Sequence, residues 1–180
     1  MTGRLESKVA IITGSSSGIG RATSLTFARE GASVVCGDLH ETARQESEGE
    51  PTHELIQKSG GKAIFVKCDT SKSQEVEALV QKAVQEYGRV DIMVNNAGIA
   101  LESKAAKPIW ELDEEMWDKT LAVNAKGVML GCKYAAIQMI KQDPHPLCDR
   151  GWIINMASIL GLVANPNTSM RSMFSYSISV

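Results

Sequence analysis

Thr13-Gly14-Ser15-Ser16-Ser17-Gly18-Ile19-Gly20 follows a short apolar run and opens a helical pattern. Three glycines at these places suit a turn that carries a pyrophosphate. Gly14 lets the chain leave a strand sharply, Gly18 lets backbone approach a phosphate with no Cβ in the way, and Gly20 allows close helix–sheet packing. The start of a helix adds N–H groups and a partial positive charge for the anion. Asp38 stands 18 residues beyond Gly20, at the end of the next apolar run. A carboxylate there accepts hydrogen bonds from both ribose hydroxyls of NAD and repels the 2′-phosphate of NADP, so the cofactor preference leans to NAD. The structural alternative for Asp38 is a cap on the following helix. Cys36, Cys68, Cys132 and Cys148 form no C-x-x-C pair and have no His at ligand spacing. They read as buried, reduced thiols, with a metal site or a disulfide as the lesser alternatives.

Residues so placed need strands that end beside them. Apolar runs of about five residues, rich in β-branched side chains, occur at 8–13, 32–37, 62–67, 90–94 and 152–156. Continuous runs of this kind suit strands buried on both faces of a parallel sheet. Helical patterns fill the intervals at 19–30, 53–59, 74–87 and 113–142, the last as two helices or one with a break. Strands alternating with crossover helices predict a doubly wound, Rossmann-like α/β parallel sheet with right-handed connections. Ligands then bind beyond the carboxyl ends of the strands. The polar, acidic stretch 41–51 reads as a solvated connection, and Trp110, Trp117 and Trp152 read as packing residues.

Composition narrows the function classes. The 180 residues are 43% hydrophobic and 22% charged, which fits one globular domain with a real core. Nineteen Lys and Arg against 21 Asp and Glu leave a net charge of −2, without the basic excess that nucleic-acid binding calls for. No apolar run approaches the roughly 18 residues of a membrane span. Residues 1–7 lack the apolar centre of a secretory signal, so a soluble, cytoplasmic protein is expected.

The glycine turn, together with Asn95-Asn96-Ala97-Gly98 after the fourth run, resembles the short-chain dehydrogenase/reductase family over residues 5–168. The resemblance implies roles residue by residue. Gly14, Gly18, Ile19 and Gly20 would line the pyrophosphate, Asp38 would hold the adenosine ribose, and Asp69 would contact the adenine ring. Asn96 and Gly98 would brace the sheet and border the cofactor, with plain strand termination as the alternative for that turn. Asn124 resembles the helix asparagine that distorts its helix and positions a water in a proton relay, or else is a plain surface residue. Ser158 resembles the serine that hydrogen-bonds a substrate carbonyl, or else is a turn or cap serine.

One part of the pattern departs from the family. The resemblance implies a tyrosine about a dozen residues after that serine and a lysine four residues later. Here Arg171 stands thirteen positions beyond Ser158, Tyr176 is the only later tyrosine, and no lysine follows Lys141. A phenol of pKa about 10 needs a neighbouring cation to exchange a proton near neutrality. Residues 1–168 are therefore expected to form an NAD(P)-binding domain lacking the family's C-terminal strands and helices, with 169–180 as a serine-rich tail. The expected function is hydride transfer between NAD(H) and a small alcohol or carbonyl compound. The alternative is a non-catalytic nucleotide-binding or regulatory remnant of such an enzyme. The family also implies a homo-oligomer, with an incomplete interface here, and substrate specificity drawn partly from residues 100–108.

Overall fold

A computed structural model describes residues 3–42, 49–101, 108–146 and 148–158. The chain runs β1 (Val9–Thr13), α1 (Gly18–Arg29), β2 (Ser33–Asp38), α2 (Thr52–Lys58), β3 (Lys62–Lys67), α3 (Ser73–Tyr87) and β4 (Ile92–Asn95). A short 3-10 turn (Ile109–Glu111), α4 (Glu114–Leu121), a π-helical turn (Ala122–Gly127), α5 (Val128–Lys141) and β5 (Trp152–Asn155) follow. Among the described residues, five parallel strands form one sheet in the order β3-β2-β1-β4-β5. This is the doubly wound α/β arrangement that the alternating pattern predicts.

The central strands are apolar at successive positions because helices cover both faces of the sheet. On one face Ile11, Val35 and Met93 pack with Val76, Leu79, Val80 and Ala83 of α3 and with Leu130, Ala135 and Met139 of α5. On the other, Ala10, Ile12, Val34, Cys36, Ile92 and Val94 pack with Ile56 of α2 and with Leu25, Phe27 and Ala28 of α1. Removing a side chain such as Leu79 from water contributes about 1.5–3 kcal/mol. Register follows from the same burial, since Ala10 lies between Val34 and Ile92, and Ile12 between Cys36 and Val94. Slipping one strand by a residue would exchange its two apolar sets.

The helical pattern 113–142 is two helices, α4 and α5, joined through the π-helical turn, one of the two forms expected for it. Other expectations are corrected. The fourth strand starts two residues late, because Val90 and Asp91 are used in contacts at its base; it runs on to Asn95, which pairs with Asn155. Only Cys36 and Cys68 are buried; Cys132 is half-buried and Cys148 exposed, and all four are free thiols. Trp110 is 81% exposed and so does not pack as expected, whereas Trp152, 44% exposed, stacks on the His145 ring with centroids 6.1 Å apart. The serine-rich tail, the boundary at 168, residues 102–107 of the specificity segment and residues 43–48 of the acidic connection lie outside the described residues.

Candidate nucleotide-binding cleft

The turn after β1 is fixed from four sides before it reaches its ligand face. Gly14 N–H donates to the Gly37 carbonyl at 2.8 Å, and the buried Ser15 hydroxyl donates to the same oxygen at 3.3 Å. Thr52, the first residue of α2, donates to the Ser15 carbonyl at 2.8 Å while accepting from Arg21 at 3.1 Å. From the β4 side, the Asn96 amide donates to the carbonyls of Thr13 at 2.9 Å and Gly14 at 3.3 Å. The Thr13 hydroxyl accepts the backbone N–H groups of Asn96 and Ala97, each at 3.0 Å.

Two glycines are required by geometry. A Cβ on Gly14 would sit 2.9 Å from the Ala97 Cα, in a backbone conformation (φ +68°) that side chains disfavour. A Cβ on Gly20 would sit 2.0 Å from the Gly14 carbonyl oxygen, so α1 can start this close to β1 only without a side chain there. Space around Gly18 is open. The N-terminus of α1 brings the positive end of the helix dipole to that space.

At the carboxyl ends of the strands these segments line an open cleft of about 340 Å³, the size of a small-ligand site. Gly14, Gly18, Ile19, Asp38, Asp69, Asn96 and Gly98 all line it, together with Ser17, Leu39, Thr70, Ile99 and Val123. Ile19 is 64% exposed on its wall, an apolar side chain left open to a ligand face. Asp38 receives the Ser16 N–H at 3.0 Å and the His40 N–H at 3.4 Å. Asp69 accepts the Ser71 hydroxyl at 2.7 Å and its N–H at 3.0 Å. Burial pushes the Asp69 carboxyl up, but the Ser71 bonds and Lys72 outweigh it and hold the group below its ordinary value. Burial, with Glu75 and Asp69 nearby, pushes the Cys68 thiol up to about 12. Cys68 is therefore a protonated wall residue at neutral pH and no nucleophile.

Three expected residues stand away from the cleft wall. Gly20 lies behind it. Asn124 sits in the π-helical turn, where its side-chain oxygen accepts the Ile99 N–H and its amide donates to the Ile99 carbonyl, both at 2.8 Å. It thus holds a lining segment through both backbone groups, which compensates the poor helix propensity of asparagine. Ser158 is exposed three residues past the end of β5 and is not among the residues lining the cleft. Thr13 and Ser16, which stand in the glycine motif with no role of their own there, build the cleft together with Leu39 and Thr52, which belong to no motif. Thr13 immediately precedes the first glycine, which is a usable signal; Thr52 carries none. The described residues contain no group of three or more His, Cys, Asp and Glu that could hold a metal, and no helix long and apolar enough to cross a membrane.

Residues 8–173 match the short chain dehydrogenase family. An uncharacterized oxidoreductase of Thermotoga maritima is 41% identical over 167 residues, 93% of this chain and 60% of that protein. A 3-oxoacyl-[acyl-carrier-protein] reductase of the same organism is 38% identical over 91% of this chain and 60% of its own length. The chain thus spans about 60% of the length of these curated relatives. Among solved structures, a short chain dehydrogenase/reductase of Burkholderia phymatum in complex with NAD superposes with a TM-score of 0.82 at 28% identity. That match covers 97% of this chain and 57% of that one. With the glycine turn, the sheet order and a family match over nearly the whole chain in agreement, this chain belongs to the short-chain dehydrogenase family.

Proposed function

We propose that this chain binds a nicotinamide dinucleotide, NAD in preference to NADP, as the cofactor-binding part of an oxidoreductase acting on a small alcohol or carbonyl compound. One observation carries the cofactor reading: the Asp38 carboxylate, aimed by the Ser16 N–H, lies on the wall of the same cleft as the glycine turn. The fit is chemical as well as spatial. The positive N-terminal end of α1 meets the open space at Gly18, a carboxylate stands where a ribose diol would lie, and the apolar Leu39 is beside it for a base.

The nicotinamide, when bound, supplies the hydride acceptor or donor. The chain supplies binding and orientation. Gly14, Gly18 and Ile19 hold the pyrophosphate, with Gly20 letting α1 start close behind them, Asp38 holds the adenosine ribose and Asp69 the adenine edge. Asn96 fixes the floor between β1 and β4. Gly98 leaves room beside it, and Asn124 positions Ile99 opposite. Ser158 orients a substrate carbonyl by donating its hydroxyl. The reductase named among the relatives supports a carbonyl substrate class.

Calorimetric titration of the 180-residue protein tests the cofactor reading: NAD binds measurably and NADP more weakly. Equal or stronger NADP binding would overturn the preference. Turnover of an alcohol and ketone panel with NAD(H) tests the reaction. The second reading, nucleotide binding without turnover, rests on the residues after Ser158, where Arg171 and the lack of lysine leave the proton-transfer pair of the resemblance unmatched. Removing one positioned general acid/base lowers rates by about 10²- to 10⁴-fold. NAD binding with no turnover across the panel would favour that second reading.

A further inference from the structure

Ser16 lies directly under the ribose end of the cleft, yet it does not line the cleft and is only 4% exposed. Its two polar groups grip both ends of one tripeptide. The Ser16 N–H donates to Asp38 Oδ2 at 3.0 Å, and the Ser16 hydroxyl donates to the His40 carbonyl. Asp38 and Leu39, the tripeptide residues that line the cleft, are thereby held from beneath. The remaining local tie, from the His40 N–H to Asp38 Oδ1, is long at 3.4 Å. Beyond these, the Cys68 N–H donates to the Asp38 carbonyl at 2.8 Å and Glu41 lies 3.4 Å from His53 Nε2, while Leu39 to Thr42 are exposed.

We propose that the Ser16 hydroxyl is a positioning group for cofactor selectivity, fixing the Asp38 carboxylate and the Leu39 side chain in the orientation that accepts an unphosphorylated ribose and rejects a 2′-phosphate. This rests on the reading of Asp38 given above. A carboxylate discriminates between a diol and a phosphomonoester only while it is held towards them. Two hydrogen bonds to the diol need both oxygens in place, and repulsion of the phosphate needs a carboxylate that cannot turn away. Without the hydroxyl, the segment keeps its ties at Asp38 and at Glu41, and His40 between them can shift. NAD loses orientation, and NADP loses part of what excludes it.

The test is calorimetric titration of the 180-residue protein with NAD and with NADP, for the unsubstituted chain, Ser16→Ala, Asp38→Asn and the double variant. Ser16→Ala is expected to weaken NAD binding roughly tenfold, the scale of one positioned hydrogen bond, while NADP affinity holds or rises, so that the NAD/NADP ratio narrows about tenfold. In the Asp38→Asn background the same substitution is expected to leave the ratio unchanged, because the group it acts through is gone. Ser16→Cys, close in size but a weak donor, gives the same narrowing if Ser16→Ala fails to fold. Equal weakening of both nucleotides, an unchanged ratio, or a Ser16 effect that persists with Asp38→Asn would overturn the proposal while leaving the cofactor reading standing. Absence of NAD binding by the unsubstituted chain would overturn both.

Discussion

A single hydroxyl, that of Thr13, accepts two half-buried N–H groups and donates to the Val94 carbonyl at 3.3 Å. Replacing it with the near-isosteric valine keeps the volume but orphans the Ala97 N–H, at about 1–3 kcal/mol, while the Asn96 N–H keeps the Val94 carbonyl at 3.1 Å. Thr13→Val is accordingly expected to lower unfolding free energy by about 1–3 kcal/mol and to weaken nucleotide binding. Urea denaturation with an unchanged slope checks the first, and a loss below 1 kcal/mol would count against this account. Gly20→Ala is expected to be worse for binding than for folding, because its Cβ meets the Gly14 carbonyl at the turn itself. Titration with NAD set against a thermal melt separates the two. What was legible at this scale had a local signature: glycines at fixed offsets, an acid at a strand end, an asparagine pair before a glycine. What was not legible depends on partners distant in sequence. Thr52 holds a carbonyl 37 positions away and Thr13 serves donors more than 80 positions away, and no spacing rule reports such pairings.

Helices and strands were legible where periodicity is strong, and their ends were not. The α4–α5 segment reads as two helices or one with a break, but the π-helical winding at the junction leaves no mark in composition. Its cause is the side-chain bond between Asn124 and Ile99 together with Gly127, where a Cβ would meet the Thr70 hydroxyl at 3.0 Å. That contact joins the turn to the segment between β3 and α3. This segment is stapled electrostatically: the Asp69 N–H donates to Glu75 at 2.7 Å, and Lys72 lies 3.0 Å from Glu75 and 3.5 Å from Asp69. The Asp69 bond and Lys72 hold the Glu75 carboxyl below its usual 4.5, as Ser71 and Lys72 hold Asp69 below 3.8. Groups depressed in the folded state stabilise it above their unfolded values, and that contribution is lost as pH falls through the folded ones. The segment is therefore expected to loosen below about pH 4.5, weakening nucleotide binding in acid. Glu75→Gln, which removes one of the two titrating groups, is expected to flatten the acid limb of a melting-temperature profile. An equally steep limb in that variant would refute the staple.

Across the whole molecule the two ends of the sheet divide the work. The carboxyl ends of the strands build the cleft, and the amino ends are closed by Asp91, a fully buried carboxylate. It accepts Val9 N–H at 2.9 Å and Arg89 Nε at 2.7 Å, with His145 Nε2 at 2.8 Å. Neutralising the carboxylate leaves these donors a weaker acceptor and Arg89, itself 30% exposed, without its partner, at about 1–3 kcal/mol. Asp91→Asn is expected to lose stability on that scale, measured by denaturation, without shifting NAD affinity in the fraction that stays folded. The alternation of strands and helices made the sheet legible in advance, because parallel strands require crossovers of that length. The surface it leaves open was legible only in part. Among the described residues β5 pairs only with β4, and Trp152, Ile154 and Met156 on or just after it are 44, 41 and 40% exposed. Trp152 and Ile154 meet Leu5, Phe27 and Ile92 along a groove of about 510 Å³ on the α1 side. An apolar strand edge of this kind associates with others, and a charge on it opposes that. The 180-residue protein is therefore expected to scatter light increasingly with concentration. Ile154→Lys is expected to suppress that rise while leaving the cleft at the other end of the sheet, and its NAD affinity, unchanged. Undiminished association in Ile154→Lys would show that the contact lies on another surface, such as the face of α5 bearing Met129, Ile137 and Ile140.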